Sequence, residues 1–158
     1  MAPAESHGRS SQAGSPDWAD HAFERVAVAG HRSGGARRAV IEALASQDCC
    51  RSAQEIHDQI RERDRRVGIA SVYRVLDLLV GLGLVQRLDL GSSMSMYEPA
   101  LPGGEHHHHL VCLDCGEVVP FEDPKLERAI EATAQRSGYR IRGHDVLLRG
   151  HCPACPAG

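Results

Sequence analysis

The placement of four cysteines restricts the fold of this 158-residue chain more than any other feature. Cys112 and Cys115 form one Cys-x-x-Cys pair, and Cys152 and Cys155 form another. Each such turn presents two thiolates at the separation a tetrahedral Zn2+ needs, so the four make a tetrathiolate set for a structural zinc. The pairs are further apart than the roughly 15–20 residues of a compact zinc ribbon. The strand and helix expected between them would therefore be folded by the ion, whose binding free energy becomes folding free energy. A redox dithiol, the alternative, lacks the usual βαβ context and gives the second pair no role. Disulfides are not expected either. Met1 to Pro16 is rich in Ser, Gly, Ala and Pro without an apolar block, which reads as a disordered tail (residues 1–16) and not as a secretion signal. A cytoplasmic chain keeps its thiols reduced.

Ahead of the first pair run four consecutive histidines, His106 to His109. They are internal and lead straight into an apolar segment, unlike a purification tag. Side chains alternate along a strand, so His107 and His109 point one way and His106 and His108 the other. One run can then serve two sites. Imidazole combined with carboxylate suits Zn2+, Fe2+, Ni2+ or Mn2+ to different degrees. Glu98, Glu127 on a C-terminal helix and His144 on the expected last strand are available partners. The plainer alternative is four solvated histidines on an edge strand.

The middle of the chain has a different rhythm. Asp17 to Ala29 (Ala22, Val26, Ala29) and Ala36 to Ala45 (Val40, Ile41, Leu44) have helical apolar spacing. Ser52 and Glu55 form a capping box that starts a third helix, with Ala53, Ile56 and Ile60 as its buried stripe; His57 reads as a satisfied histidine at the core edge. In "ASVYRVLDLLVGLGLV" Val72, Val75, Leu76 and Leu79 share one face, leaving Ser71, Tyr73, Arg74 and Asp77 on the other, and Gly81 and Gly83 end the helix. "LVQRLDL" and "SMSMYEP" read as a hairpin across Gly91-Ser92. Helices followed by a hairpin over 36–98 are the order of a winged helix-turn-helix, whose last helix enters the major groove N-terminus first. Tyr73 and Arg74 sit there, with a half-buried aromatic and a solvated charge as the alternative.

Beyond Pro99 short strands flank Cys112 to Gly116. Asp123 and Pro124 then cap a helix with Leu126 and Ile130 as its stripe and Gly138 at its end, and "YRIRGHDVLLRG" returns as a strand. The expected class is α+β: a winged-helix domain at 17–98, a hinge at 99–105 and a small α/β metal-binding dimerisation domain at 106–158.

Charge narrows the partners. The chain is net −3, so as a whole it does not attract nucleic acid or an anionic membrane, but the sign varies along it. Residues 1–30 hold two Arg against four acids, 31–100 ten Arg against nine, and 101–158 six bases against eight, so the middle is least acidic. With six aromatic residues and no aromatic–basic alternation, a stacking platform for single strands is disfavoured, and duplex DNA is the better partner. The longest apolar stretch, Val75 to Val85, contains Asp77 and two glycines and is too short to span a bilayer, so no membrane association is expected.

"IASVYRVLDLL", "MYEP", "HHHHLVCLDCGEV" and "GHCPAC" together resemble the ferric uptake regulator family of bacterial metal-responsive repressors, over nearly all of residues 20–155. The resemblance implies a homodimer whose winged helices bind a palindromic operator. It implies structural zinc on Cys112, Cys115, Cys152 and Cys155, and a further metal on His106, His108, Glu127 and His144. His107, His109 and Glu98 match three positions of a regulatory hinge site for Fe2+ or Zn2+; at the fourth, usually His, this chain has Cys50, and a thiolate there would favour Zn2+. DNA contacts fall to Ser71, Tyr73, Arg74 and Arg37, the last beside a Ser33/Gly34 region where the family commonly has Thr-x-x-Arg. Zinc-sensing relatives often carry Asp and Cys at the places of Gln86 and Ala100, and peroxide-sensing ones Asp at those of Glu98 and Pro120, so this chain follows neither branch fully.

Two other classes have distinct requirements. A zinc hydrolase needs an open coordination position and a general base in a pocket, and no His-Glu-x-x-His motif occurs. A metal buffer would bind ions without gaining affinity for a duplex. The chain is expected not to be an enzyme and to have no small organic substrate.

Overall fold

The computed structural model describes residues 16–32, 34–89, 95–100 and 107–155. The chain divides into two compact units, residues 1–104 and 105–158.

The first unit opens with helices α1 (Pro16–Val28) and α2 (Gly35–Ala45), then a two-residue strand β1 (Arg51–Ser52), helices α3 (Ala53–Arg61) and α4 (Ile69–Gly81), and strands β2 (Val85–Asp89) and β3 (Ser95–Pro99). The capping box forms as its residue types require: Ser52 Oγ accepts from the Glu55 amide at 3.2 Å, and the Glu55 carboxylate accepts from the Ser52 amide at 2.7 Å. Helix α4 stops because Gly83 takes φ +69°, a left-handed conformation that L side chains rarely adopt. The expected hairpin is present as β2 and β3, antiparallel from Val85↔Pro99 to Asp89↔Ser95; its tip, including Gly91 and Ser92, lies outside the described residues. The short strand β1 has no counterpart in the periodicity of the sequence. It pairs with β3 and makes a three-stranded sheet in the order β1-β3-β2.

The core of this unit gathers Val40, Ile41 and Leu44 of α2, Ile56 and Ile60 of α3, and Val72, Leu76 and Leu79 of α4. Helix α1 contributes Trp18, Ala22 and Val26, an i, i+4, i+8 stripe one turn earlier than the apolar spacing implies, and Ala29 is exposed. Leu76 is fully buried, so Leu76→Ala should destabilise this unit by about 2–5 kcal/mol. Chemical denaturation followed by Trp18 fluorescence checks this; a loss under about 1 kcal/mol would mean that α4 does not carry the core.

The second unit contains β4 (His108–Cys112), β5 (Val118–Phe121), α5 (Pro124–Arg136) and β6 (Leu147–Gly150). Its sheet order is β5-β4-β6, with β4 antiparallel to β5 and parallel to β6. A parallel return requires a crossover, and α5 supplies it. Asp123 caps α5 by accepting from the Lys125 amide at 2.8 Å, with Pro124 behind it. The expected strand from Tyr139 onward is shorter than its composition implies, since residues 139–146 are irregular and only 147–150 pair. His144 therefore stands in the approach to β6, off the strand.

Helix α5 has no buried residue, and the expected Leu126 and Ile130 stripe is only half-buried. Among described residues 107–155 the buried side chains are His108, His109 and Cys112. The interior of this unit is made largely of ligand-type side chains.

Candidate metal centres and nucleic-acid interface

The parallel register of β4 and β6 assembles the cysteines. Cys112 ends β4 opposite Gly150, which carries Cys152 and Cys155 back over the Cys112–Cys115 turn; Gly116, at φ +75°, closes that turn. The four Sγ atoms lie within 4.8 Å of one another. Cys112 to Cys155 and Cys115 to Cys152 are each 3.8 Å, Cys152 to Cys155 is 3.4 Å, and all four cysteines are free of disulfides. Zn–S bonds of about 2.3 Å in a tetrahedron separate neighbouring sulfurs by about 3.8 Å, so the cluster fits zinc. Backbone amides are aimed at the sulfur: N–H groups of Cys115 and Cys152 hold the Cys112 thiol down at about 6, and the Cys152 amide donates to Cys112 Sγ at 3.3 Å.

A second cluster joins β4, α5 and the approach to β6. Glu127 Oε1 is 2.6 Å from His108 Nε2, and its Oε2 is 3.0 Å from His144 Nε2. His108 is 1% exposed and packs against the Phe121 ring at 5.4 Å between centroids. Burial pushes the Glu127 carboxyl up, but hydrogen bonds from the two imidazoles outweigh it and hold the group below its usual range. Two imidazole nitrogens converging on one carboxylate make an imidazole and carboxylate donor set suited to a divalent first-row ion. His106, the remaining member by resemblance, lies outside the described residues.

The hinge candidates divide between the units, and each half is defined by itself. In the first unit Glu98 on β3 is buried, and a carboxylate oxygen lies within 4.8 Å of Cys49 Sγ. In the second unit His107 and His109 have ring nitrogens within the same limit and rings at 4.9 Å in an edge-to-face pose. His107 precedes β4 and His109 is its second residue. Motif spacing selects Cys50, but the thiol grouped with Glu98 is Cys49. Cys50 is buried, with its own thiol pushed well up by the adjacent Cys49 thiol, whose Sγ is 3.9 Å away, by burial, and by the charge of Glu98. Adjacent residues at the chain bend before β1 present their side chains in different directions, a one-residue offset that spacing alone does not reveal.

The nucleic-acid candidates belong to the first unit. Tyr73 is 48% exposed on the first half of α4, with Arg74 exposed beside it and Ser71 half-buried. Arg37 is on the first turn of α2; its Nε is buried with no hydrogen-bond partner among the described residues, so part of its side chain is lodged in the fold. Ser33 lies outside the described residues, and Gly34 is the N-cap of α2. His57 Nε2 donates to the Val67 carbonyl at 3.1 Å, but its buried Nδ1 has no hydrogen-bond partner among the described residues, so the satisfied core-edge role expected for it holds for one ring nitrogen only.

A winged-helix unit with an exposed reading helix, joined in one chain to an α/β unit built around cysteine and histidine ligands, defines a metal-responsive transcription regulator. The ferric uptake regulator family model matches residues 28–149. The ferric uptake regulation protein of Neisseria meningitidis is 36% identical over 106 residues, 67% of this chain and 72% of its own length. The crystal structure of the Vibrio cholerae ferric uptake regulator superposes with TM-score 0.74 at 32% identity, covering 82% of this chain and 98% of that one. The structure of the Helicobacter pylori ferric uptake regulator, described as revealing three functional metal binding sites, gives 0.77 at 28% identity, covering 87% of this chain and 93% of that one. The chain belongs to the ferric uptake regulator family. Its members are dimeric DNA-binding regulators that respond to metal, and this protein is such a regulator and not an enzyme.

Proposed function

We propose that this protein is a cytoplasmic homodimeric repressor of metal-homeostasis genes that binds a palindromic operator in double-stranded DNA when Fe2+ or Zn2+ occupies its regulatory site. The observation that carries the reading is the exposed Tyr73-Arg74 pair at the start of α4 in a chain whose other unit is held together by ligand side chains. A metal buffer would have no use for such a helix. The DNA-binding domain is residues 17–98 and the metal-binding dimerisation domain is 106–158. Structural Zn2+ is assigned to Cys112, Cys115, Cys152 and Cys155, and a second ion to His106, His108, Glu127 and His144.

A homodimer accords with the second unit's open surface. Leu110 pairs in register with Val119 on one side and Leu148 on the other, and cross-strand partners share a face. All three are 43–47% exposed, an apolar row of the kind that marks an interaction surface. A separate groove of about 480 Å3 along α5 is lined by Ile130, Thr133, Tyr139 and Ile141. A two-fold dimer presents two reading helices to two half-sites. Selection from a random duplex pool in the presence of Fe2+ or Zn2+ should therefore enrich an inverted repeat; recovery of unrelated sequences would refute the operator reading.

The regulatory hinge ion is assigned to Glu98, His107 and His109 with a thiol as the remaining ligand, and the closeness of Cys49 to Glu98 supports Cys49 over Cys50. When bound, that ion would supply a cross-link that holds the two winged helices of the dimer at half-site spacing. A thiolate ligand shifts preference toward Zn2+ over Fe2+. With zinc retained on the four cysteines, added Co2+ should produce a thiolate-to-cobalt charge-transfer band that survives Cys50→Ser and disappears in Cys49→Ser. The reverse pattern would make Cys50 the ligand.

A further inference from the structure

The turn between α3 and α4, residues 62–68, carries a charge pattern that neither the metal sites nor the Tyr73-Arg74 pair uses. From Arg61 to Arg66 there are four arginines and two acids. The turn is anchored: the amides of Arg63 and Asp64 both donate to the Ile60 carbonyl, at 3.0 and 2.8 Å, and buried Val67 receives the His57 hydrogen bond. Asp64 is committed to Arg66, accepting from its backbone amide and Nε at 3.0 Å each and from Nη2 at 3.3 Å. Glu62 caps α3. Arg63 and Arg65 are exposed and their side chains have no hydrogen-bond or ion-pair partner among the described residues. Two positive charges are thus displayed from a pinned segment, with the intervening acid occupied elsewhere.

Position gives these charges a ligand. Arg65 is four residues ahead of Ile69, the first residue of α4. A helix about 10–12 Å across that enters a major groove about 12 Å wide has phosphate backbones on both flanks. The segment leading into the inserted N-terminus must run past one of them. We propose that Arg63 and Arg65 contact backbone phosphates of the duplex whose groove α4 occupies, adding sequence-independent affinity beside the sequence reading by Tyr73 and Arg74. This rests on the DNA-binding reading above.

The test is the salt dependence of duplex binding by the metal-loaded full-length protein and by its Arg63→Ala/Arg65→Ala variant. Each phosphate no longer neutralised makes the slope of log K against log salt shallower by about 0.9. Removing both arginines from both subunits of a dimer should therefore flatten it by about 3.6, equally for selected and random duplexes. The Arg63→Lys/Arg65→Lys variant should keep the wild-type slope. Zinc content and melting temperature should stay unchanged, since neither side chain has a partner within the described fold. A variant that binds with the wild-type slope and affinity overturns the assignment, as does a loss confined to the selected sequence with no change of slope. If the wild-type protein binds no duplex with any metal, the DNA-binding reading itself fails; if it binds and only the slope prediction misses, the fault lies with the turn.

Discussion

Cys152→Ser is expected to abolish zinc retention and unfold the second unit while the first remains folded. Structural zinc contributes apparent binding free energies of about 10–16 kcal/mol in small zinc domains, as large as the whole stability of an ordinary domain, about 5–15 kcal/mol. Little else holds this unit. Its buried side chains among the described residues are His108, His109 and Cys112, and α5 buries none. Hydrogen exchange should show amides of β4, β5 and β6 losing protection in the variant while those of α2, α3 and α4 keep theirs; retained protection in the strands would mean that apolar packing suffices without the ion. Acid should mimic the substitution. Zinc binds the thiolate form, so protons compete with it for all four sulfurs; the Cys112 thiol is held down at about 6, while neighbouring thiols push Cys115 and Cys155 up, and the Cys112 thiolate's own contribution is complete above about pH 9 and lost as pH falls through about 6. Zinc content followed against pH should therefore fall on the acid side of neutrality and hold on the alkaline side.

Arg74→Ala should weaken operator binding by about 5- to 150-fold per subunit, the equivalent of about 1–3 kcal/mol for a bidentate base contact, with metal content intact. The expectation follows from exposure: on α4 the core takes Val72, Val75, Leu76 and Leu79, so Arg74 is not needed for folding and has no ion-pair partner among the described residues. Tyr73→Phe should cost less, since the ring remains and only the hydroxyl is removed. Fluorescence anisotropy with the selected duplex measures both. Operator binding undiminished by Arg74→Ala would remove α4 from the groove.

Much of this is legible in the residues because the signals are local. The Ser52-Glu55 box, the i, i+3, i+4, i+7 spacing after Val72, Gly83 at a left-handed turn and the Asp123-Pro124 cap each depend on neighbours within a turn or two. The cysteine set is legible for another reason: four thiols in two matched pairs have few other uses. Features decided by long-range pairing are not legible. β1 is two residues long and exists only because β3 offers an edge to Arg51 and Ser52. Tyr139 to Val146 reads as a strand by composition, yet only Leu147 to Gly150 pair with β4, so His144 reaches Glu127 from irregular chain. Trp18 is in the core and Ala29 outside, because α1 ends at Val28 and Ala29 lies beyond its buried stripe. Cys49 and Cys50 have the same chemistry one residue apart, and only the bend before β1 separates them.

The central claim is that an ion at the regulatory site decides whether this protein holds its operator. The most direct measurement is the dissociation constant for the selected duplex with zinc kept on the four cysteines, at matched pH and salt, with and without Fe2+ or Zn2+ added at the remaining sites. A complete switch corresponds to about a 10,000-fold difference between the states, and the account predicts strong tightening on adding one of these ions, abolished in Glu98→Ala. Equal affinity in the stripped and loaded forms would contradict it.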